Sequence, residues 1–195
     1  MDESLQSLLL ELENFGASND SHVTDRPHRM LNITADTGQF LLAIVLSSNA
    51  RNVLEIGTSN GYSTIWLAYA VGKTGGSVTT LEKSSYKAEL ARENFRRSGL
   101  DRSISLVNED ARGPLSKAPD QSFDLIFLDA DRSEYLRLWP ELNRALRPGG
   151  SLVVDNAISH ASELEPFMAT LRSDPRFVTT MIPIGNGEFF AVKTV

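Results

Sequence analysis

The chain has 195 residues, 41% of them hydrophobic and 23% charged, with a formal net charge of −6. That length suffices for one domain with a real core, and the acidic balance disfavours nucleic acid or an anionic membrane as the main partner. There is no cysteine, which excludes disulfides, thiolate metal sites and a cysteine nucleophile.

Met1 to Asn14 carries Asp2, Glu3, Glu11 and Glu13 and lacks the basic start and apolar run of a signal peptide. The longest apolar run, Phe40 to Leu46, is far short of a membrane span, so a cytoplasmic protein is expected. Leu5, Leu8, Leu9, Leu12 and Phe15 recur at helical spacing and predict an amphipathic first helix. Gly16 to His28 is polar, contains Pro27 and reads as a surface loop able to cover a site. A second helix is expected over Thr34 to Ser48, with Thr34 as N-cap. From Asn52 onward the segments alternate. Strands are expected at 52–56, 77–82, 103–108, 123–128, 150–154, 177–183 and 187–193, and helices at 61–71, 84–98, 112–117, 133–146 and 161–172. Pro140 should start a new turn after Leu138 or kink the helix there. The alternation predicts a mostly parallel sheet with helices on both faces. The last two strands, joined by Ile184-Gly185-Asn186-Gly187, predict an antiparallel hairpin. Residues 1–195 thus read as a single domain, with helices and a cover loop over 1–50 and the alternating core over 51–195.

Val53-Leu54-Glu55-Ile56-Gly57-Thr58-Ser59-Asn60-Gly61-Tyr62-Ser63-Thr64 reads as a buried strand, a glycine turn and a helix. This is how an open α/β sheet holds a ribose-bearing cofactor. A nicotinamide site wants G-x-G-x-x-G, but only Gly57 and Gly61 are present. Taken alone, the turn could also be a tight strand-to-helix connection with no ligand, the lesser alternative. Glu55 before the turn would repel a pyrophosphate and suit a cationic ammonium or sulfonium ligand. Glu82 ends the next strand, where a carboxylate can accept both hydroxyls of a ribose. Asp110 could accept from an adenine amino group, with the Ala111 N–H donating to the ring, or could simply cap a helix. Each of five strand ends carries an acid: Glu55, Glu82, Asp110, Asp129 and Asp155.

With these residues in place, the chain resembles the class I S-adenosylmethionine-dependent methyltransferases, and among them the small cation-dependent O-methyltransferases of the catechol and caffeoyl-coenzyme A type. The resemblance runs from about Leu31 to Lys193. It is carried by Leu31-Asn32-Ile33-Thr34-Ala35-Asp36-Thr37-Gly38-Gln39-Phe40, by Glu55 to Ser63, by Phe123 to Asp131, by Leu146-Arg147-Pro148-Gly149-Gly150, by Val153-Val154-Asp155-Asn156 and by Pro183 to Gly187. It implies a Rossmann-like methyltransferase fold, a seven-stranded sheet with a reversed last strand. It also implies S-adenosylmethionine as cofactor. Gly57 and its neighbours Glu55, Thr58, Ser59, Gly61, Tyr62 and Ser63 would wrap the methionine half. Glu82 would hold the ribose, Asp110 and Ala111 would meet the adenine, and Ile33, Lys83 and Asp129 complete the implied cofactor set.

The resemblance further implies a divalent ion on Asp129, Asp155 and Asn156. Two carboxylates and an amide oxygen are hard donors that suit Mg²⁺, Mn²⁺ or Ca²⁺. Such an ion could lower the pKa of a substrate hydroxyl, whose oxyanion would then attack the methyl in line with the departing sulfur. The alternative is that Asp155 and Asn156 merely cap a turn. One position departs from the family pattern. Where a lysine serves as general base, this chain has Arg132, which stays protonated and can act only electrostatically. His160 is the candidate base by position and pKa, with a surface or capping role as its bland alternative. The catalytic expectation is therefore Asp129, Arg132 and His160. The plant-type insertion after Asp155-Asn156 is absent, which predicts a more open site. Tyr62, Tyr135 and Trp139 lie near the expected mouth, where packing is their ordinary role. The expected acceptor is a small hydroxylated molecule, possible homodimer formation follows from the resemblance, and neither nucleic acid nor membrane is expected. Competing expectations are a metal-independent small-molecule methyltransferase, a non-catalytic S-adenosylmethionine-binding protein and, more remotely, a nicotinamide oxidoreductase.

Overall fold

The computed structural model describes every residue, Met1–Val195. Two helices, α1 (Glu3–His22) and α2 (Ala35–Ser48), precede the first strand. The core then alternates: β1 (Asn52–Ile56), α3 (Tyr62–Thr74), β2 (Ser77–Leu81), α4 (Ser85–Ser98), β3 (Ile104–Val107), α5 (Arg112–Lys117), β4 (Phe123–Leu128), α6 (Tyr135–Ala145), β5 (Leu146–Val154), α7 (Ala161–Ser173), β6 (Phe177–Ile182) and β7 (Glu188–Lys193). The seven strands form one sheet in the order β3-β2-β1-β4-β5-β7-β6. The first five run parallel. β7 is antiparallel to both β5 and β6 and lies between them. The expected α/β architecture, including its reversed last strand, is what the chain adopts. No helix is long and apolar enough to cross a membrane.

Side-chain alternation along the strands builds two cores. Val53, Leu125, Phe127 and Val153 pack with Leu9, Leu41 and Ile65 beneath α1, α2 and α3. Leu54, Ile56, Ile126 and Val154 pack with Leu142, Phe167 and Leu171 beneath α6 and α7. Strands buried on both faces explain the continuous apolar runs in the sequence. Thr34 caps α2 as expected, accepting from the Thr37 N–H at 3.2 Å.

Three boundaries differ from expectation. α1 does not stop near Phe15 but continues to His22, because the polar residues of its last turns are spent tying down the segment that follows. β5 begins at Leu146 rather than 150, with a register irregularity between Phe123 and Leu125 that admits Arg147 to Gly150 into the strand. The helix expected over 133–146 divides into a 3₁₀ turn, Arg132–Glu134, and α6, which continues through Pro140. The carbonyl freed by that proline belongs to exposed Leu136 and is left to solvent.

Lys193 is buried in β7, and its Nζ donates to the Asn143 carbonyl at 2.6 Å and the Leu146 carbonyl at 3.0 Å. It thus closes the C-terminal end of α6 with a cation where the helix carbonyls are unpaired. Lys193→Met should cost about 1–2 kcal/mol and lower the melting temperature by about 2–8 °C. An unchanged thermal melt would refute this role.

Candidate active site

The C-terminal ends of the parallel strands open into a cavity of about 1030 Å³, the crevice where open α/β sheets bind ligands. β1 leaves the sheet through Gly57, whose φ of 101° is open to glycine and strained for other residues. A Cβ at Gly57 would strike the Asp129 carbonyl oxygen at the end of β4. The turn is therefore pressed against the next strand end, and its backbone forms part of the cavity floor.

Glu82 reaches this turn from the end of β2. Its Oε2 accepts from the Ser59 N–H at 2.9 Å and its Oε1 from the Ser84 N–H at 2.8 Å. Each oxygen keeps a lone pair for a further donor. At the end of β3, Asp110 accepts from the Arg112 N–H at 3.0 Å and from Arg112 Nε at 2.8 Å. The Arg112 guanidinium and N–H hold its pKa down at about 2.

The opposite wall is a strap, residues 23–34, between α1 and α2. Asp20 holds it with both oxygens, accepting from the Met30 N–H at 2.7 Å and the Leu31 N–H at 2.8 Å. Asn19 Nδ2 donates to the His28 carbonyl at 2.9 Å. Ser59 Oγ donates to the Met30 carbonyl at 2.6 Å, joining strap and glycine turn. The His28 ring lies 5.4 Å from the Tyr86 ring on α4.

The far end of the cavity concentrates buried acids. Asp155, 3% exposed, accepts from Asn156 Nδ2 at 2.6 Å through Oδ2, while its Oδ1 has no partner apart from the neighbouring Glu188 carboxyl. Glu188 is fully buried and accepts from Thr37 Oγ1 at 2.8 Å. Burial, and then the Asp155 charge, raise the Glu188 pKa well above the carboxylate range. Burial and the Asp155 charge also push Asp129 well up, while Arg132 and Lys87 pull it down. Arg132 sits beside this group, with its Nε on Glu163 Oε2 at 2.9 Å. Tyr135 is buried, and its hydroxyl accepts from the Ala130 N–H at 2.7 Å.

Residues 6–194 match the model of a family described as O-methyltransferase. The chain belongs to this O-methyltransferase family. It is 40% identical over 126 residues to the catechol O-methyltransferase of Mycobacterium tuberculosis, covering 65% of this chain and 57% of that protein. The chain thus spans less than two-thirds of that relative's length. It is 28% identical over 188 residues to the caffeoyl-CoA O-methyltransferase of Medicago sativa, covering 83% and 74% of the two chains. Its fold superposes on the O-methyltransferase from Bacillus cereus, solved in complex with SAH, with a TM-score of 0.79 at 28% identity, covering 100% of this chain and 92% of that one.

In this O-methyltransferase family member, most of the residues singled out from the sequence line one cavity. Ile33, Gly57, Ser59, Glu82, Lys83, Asp110, Ala111, Asp129, Arg132, Asp155, Asn156 and His160 all line it. Five cofactor candidates do not. Glu55 is fully buried behind the turn and accepts from Ser63 Oγ at 2.5 Å, Thr80 Oγ1 at 2.6 Å and Thr64 Oγ1. It is a brace between β1, β2 and α3 rather than an anion aimed at a ligand. Burial pushes its pKa up to about 7 against the pull of those hydroxyls. Ser63 is committed to Glu55, and Thr58 Oγ1 pairs with Thr80 Oγ1 at 2.5 Å. Gly61 starts α3 with φ 89° where the Phe95 ring leaves no room for a Cβ. Tyr62 is buried, its hydroxyl donating to Glu13 at 3.5 Å. Trp139 packs edge-on against Phe167 and tilted against Phe177, as an ordinary core aromatic does.

The sequence gives a cover loop over Gly16 to His28 but does not single out Arg26 and Arg29 on the strap, nor Lys87, Glu163 and Glu188, all but the last of which line the cavity. A signal for the strap existed: Arg26 and Arg29 are the only lysine or arginine residues in the first 50 positions. Glu188 carried none, since it reads as an ordinary strand-start acid until β7 inserts beside β5.

Proposed function

We propose that the chain transfers a methyl group from S-adenosylmethionine to a hydroxyl of a small hydroxylated molecule, assisted by a divalent cation. The observation that carries this reading is one crevice joining a backbone-exposing glycine turn, the Glu82 carboxylate and the Asp129–Asp155 pair. Family membership and the catechol and caffeoyl-CoA O-methyltransferase relatives support it. The cofactor supplies the methyl on a sulfonium that leaves as a neutral thioether, and the cation supplies charge that acidifies an adjacent hydroxyl.

The chain's own residues divide the remaining work. Gly57 lets a ligand approach the backbone, and Glu82 offers its free lone pairs to a ribose diol. Asp129, Asp155 and Asn156 would hold the ion. No three His, Asp or Glu side chains converge as a metal cluster, so the set is two carboxylates and an amide oxygen. It fits a hard cation on one structural ground: a half-buried and a buried carboxylate that feel each other's charge, with one oxygen of Asp155 lacking a hydrogen-bond donor, form a charge arrangement that a cation offsets. Arg132 stays charged and steadies a developing oxyanion without taking its proton. His160, half-buried on the wall with Nδ1 2.9 Å from Ser159 Oγ, keeps its other nitrogen for a proton.

Methyl transfer to a panel of dihydroxy aromatic acceptors tests this. EDTA, and separately Asp155→Ala, should each lower turnover by at least about a hundredfold. A second reading drops the cation. Arg132 already places positive charge beside the acidic pair, and this favours a cation-independent transferase. Turnover insensitive to EDTA would install that reading in place of the first.

A further inference from the structure

Most arginines in this protein are neutralised. Arg97, Arg112, Arg132, Arg144, Arg147 and Arg176 each bind a carboxylate at 2.9 Å or less. Arg26 and Arg29, both on the cavity wall, have no ion pair and no side-chain hydrogen bond. Arg29 Nε is shut off from solvent with no acceptor within reach, an arrangement that destabilises the ligand-free protein.

The acids near these two arginines are engaged elsewhere. Asp20, which feels the Arg29 charge, is taken by the Met30 and Leu31 N–H groups. Asp131 and Glu163 feel the Arg26 charge, but Asp131 accepts from Ser133 Oγ at 2.8 Å and Glu163 is bound to Arg132. Arg26 therefore faces the end of the cavity that holds Arg132 and the buried acids, with its donors free.

We propose that the methyl acceptor carries a carboxylate, held by Arg26 and Arg29 of the strap, in the cavity that Arg132 also lines. This rests on the methyl-transfer reading above. A guanidinium fork matches a planar carboxylate with two parallel hydrogen bonds. A doubly charged phosphate would meet more repulsion from Asp129, Asp155 and Glu163, so the single charge is the better fit. The strap then sets specificity, while the strand ends carry the reaction.

The test compares 3,4-dihydroxybenzoate with 3,4-dihydroxybenzamide, which share a shape and differ in one charge. In the unmodified protein kcat/KM should favour the acid by about tenfold to a hundredfold, the worth of one charge-assisted contact. That ratio should fall close to one in the Arg26→Gln/Arg29→Gln double variant, and Arg29→Lys should restore part of it. A ratio near one in the unmodified protein, or one that survives the double substitution, overturns the proposal. So does an unchanged ratio with weakened S-adenosylhomocysteine binding by calorimetry, which would give the arginines to the cofactor's own carboxylate. If neither acceptor is methylated, both are titrated into the S-adenosylhomocysteine-loaded protein. Arginine-dependent preference for the acid would then uphold the carboxylate site while the transfer reading fails, and no preference would overturn the site as well.

Discussion

Gly57→Ala is expected to destabilise the protein by about 2–4 kcal/mol and to abolish measurable S-adenosylhomocysteine binding. Two costs combine. The φ of 101° is unfavourable for any side chain, and the added methyl would meet the Asp129 carbonyl, a backbone atom of a central strand that cannot swing aside. Relief requires β1 and β4 to separate at their C-terminal ends, where their pairing, Ile56 with Leu128, closes the floor of the cavity. Urea unfolding gives the first quantity and calorimetry the second. Near-normal values for both would show that the turn has slack which its contacts do not suggest. Gly75, equally left-handed at φ 74°, has nothing near its absent Cβ. An alanine there should carry only the backbone part of the cost, about 1 kcal/mol, and serves as the control.

Glu55→Gln should remove a pH dependence of stability worth about 3 kcal/mol. The folded protein holds the Glu55 proton up to about pH 7, because burial disfavours the charged form, while an unfolded chain releases it near 4.5. Below 4.5 both states are protonated and the residue makes no difference. As pH rises through that window the unfolded state binds fewer protons, so stability falls, and the full loss is reached above 7. Glutamine cannot ionise and keeps an acceptor for the surrounding hydroxyls. The variant should match the parent near pH 5 and exceed it at pH 8 in urea unfolding. Parallel stability profiles for the two proteins would contradict the assignment. The experiment also separates the brace from the cavity, since Glu55 does not line it.

The alternation of apolar runs and turn signals was enough to place every strand, because a strand buried on both faces leaves an unbroken apolar word such as Leu125-Ile126-Phe127-Leu128. The strand-end acids were legible for the same reason: a charge directly after such a run has nowhere to sit but the sheet's edge. What each acid faces was not legible. Glu55 and Glu82 look alike in sequence, yet Glu55 turns inward to three hydroxyls and Glu82 outward to the Ser59 and Ser84 N–H groups. The difference is one of strand parity and distance from the strand end, and the hydroxyls that decide it lie on other elements. The strap was read as loop for a related reason. Asp20 and Asn19 are poor helix formers, but they end α1 because their side chains find backbone partners nine to eleven positions later in the chain.

The interposed last strand has a consequence for how the molecule comes apart. β6 touches the sheet only through β7, so the hairpin can leave as a unit. What remains, β3-β2-β1-β4-β5, still contains Gly57, Glu82 and Asp110 in their parallel frame. Glu188, however, departs with the hairpin, and with it the buried carboxyl beside Asp155. The two halves of the cavity thus differ in durability: the side holding Gly57, Glu82 and Asp110 is as durable as the parallel sheet, and the acidic side only as durable as the seam between Val154 and Phe189.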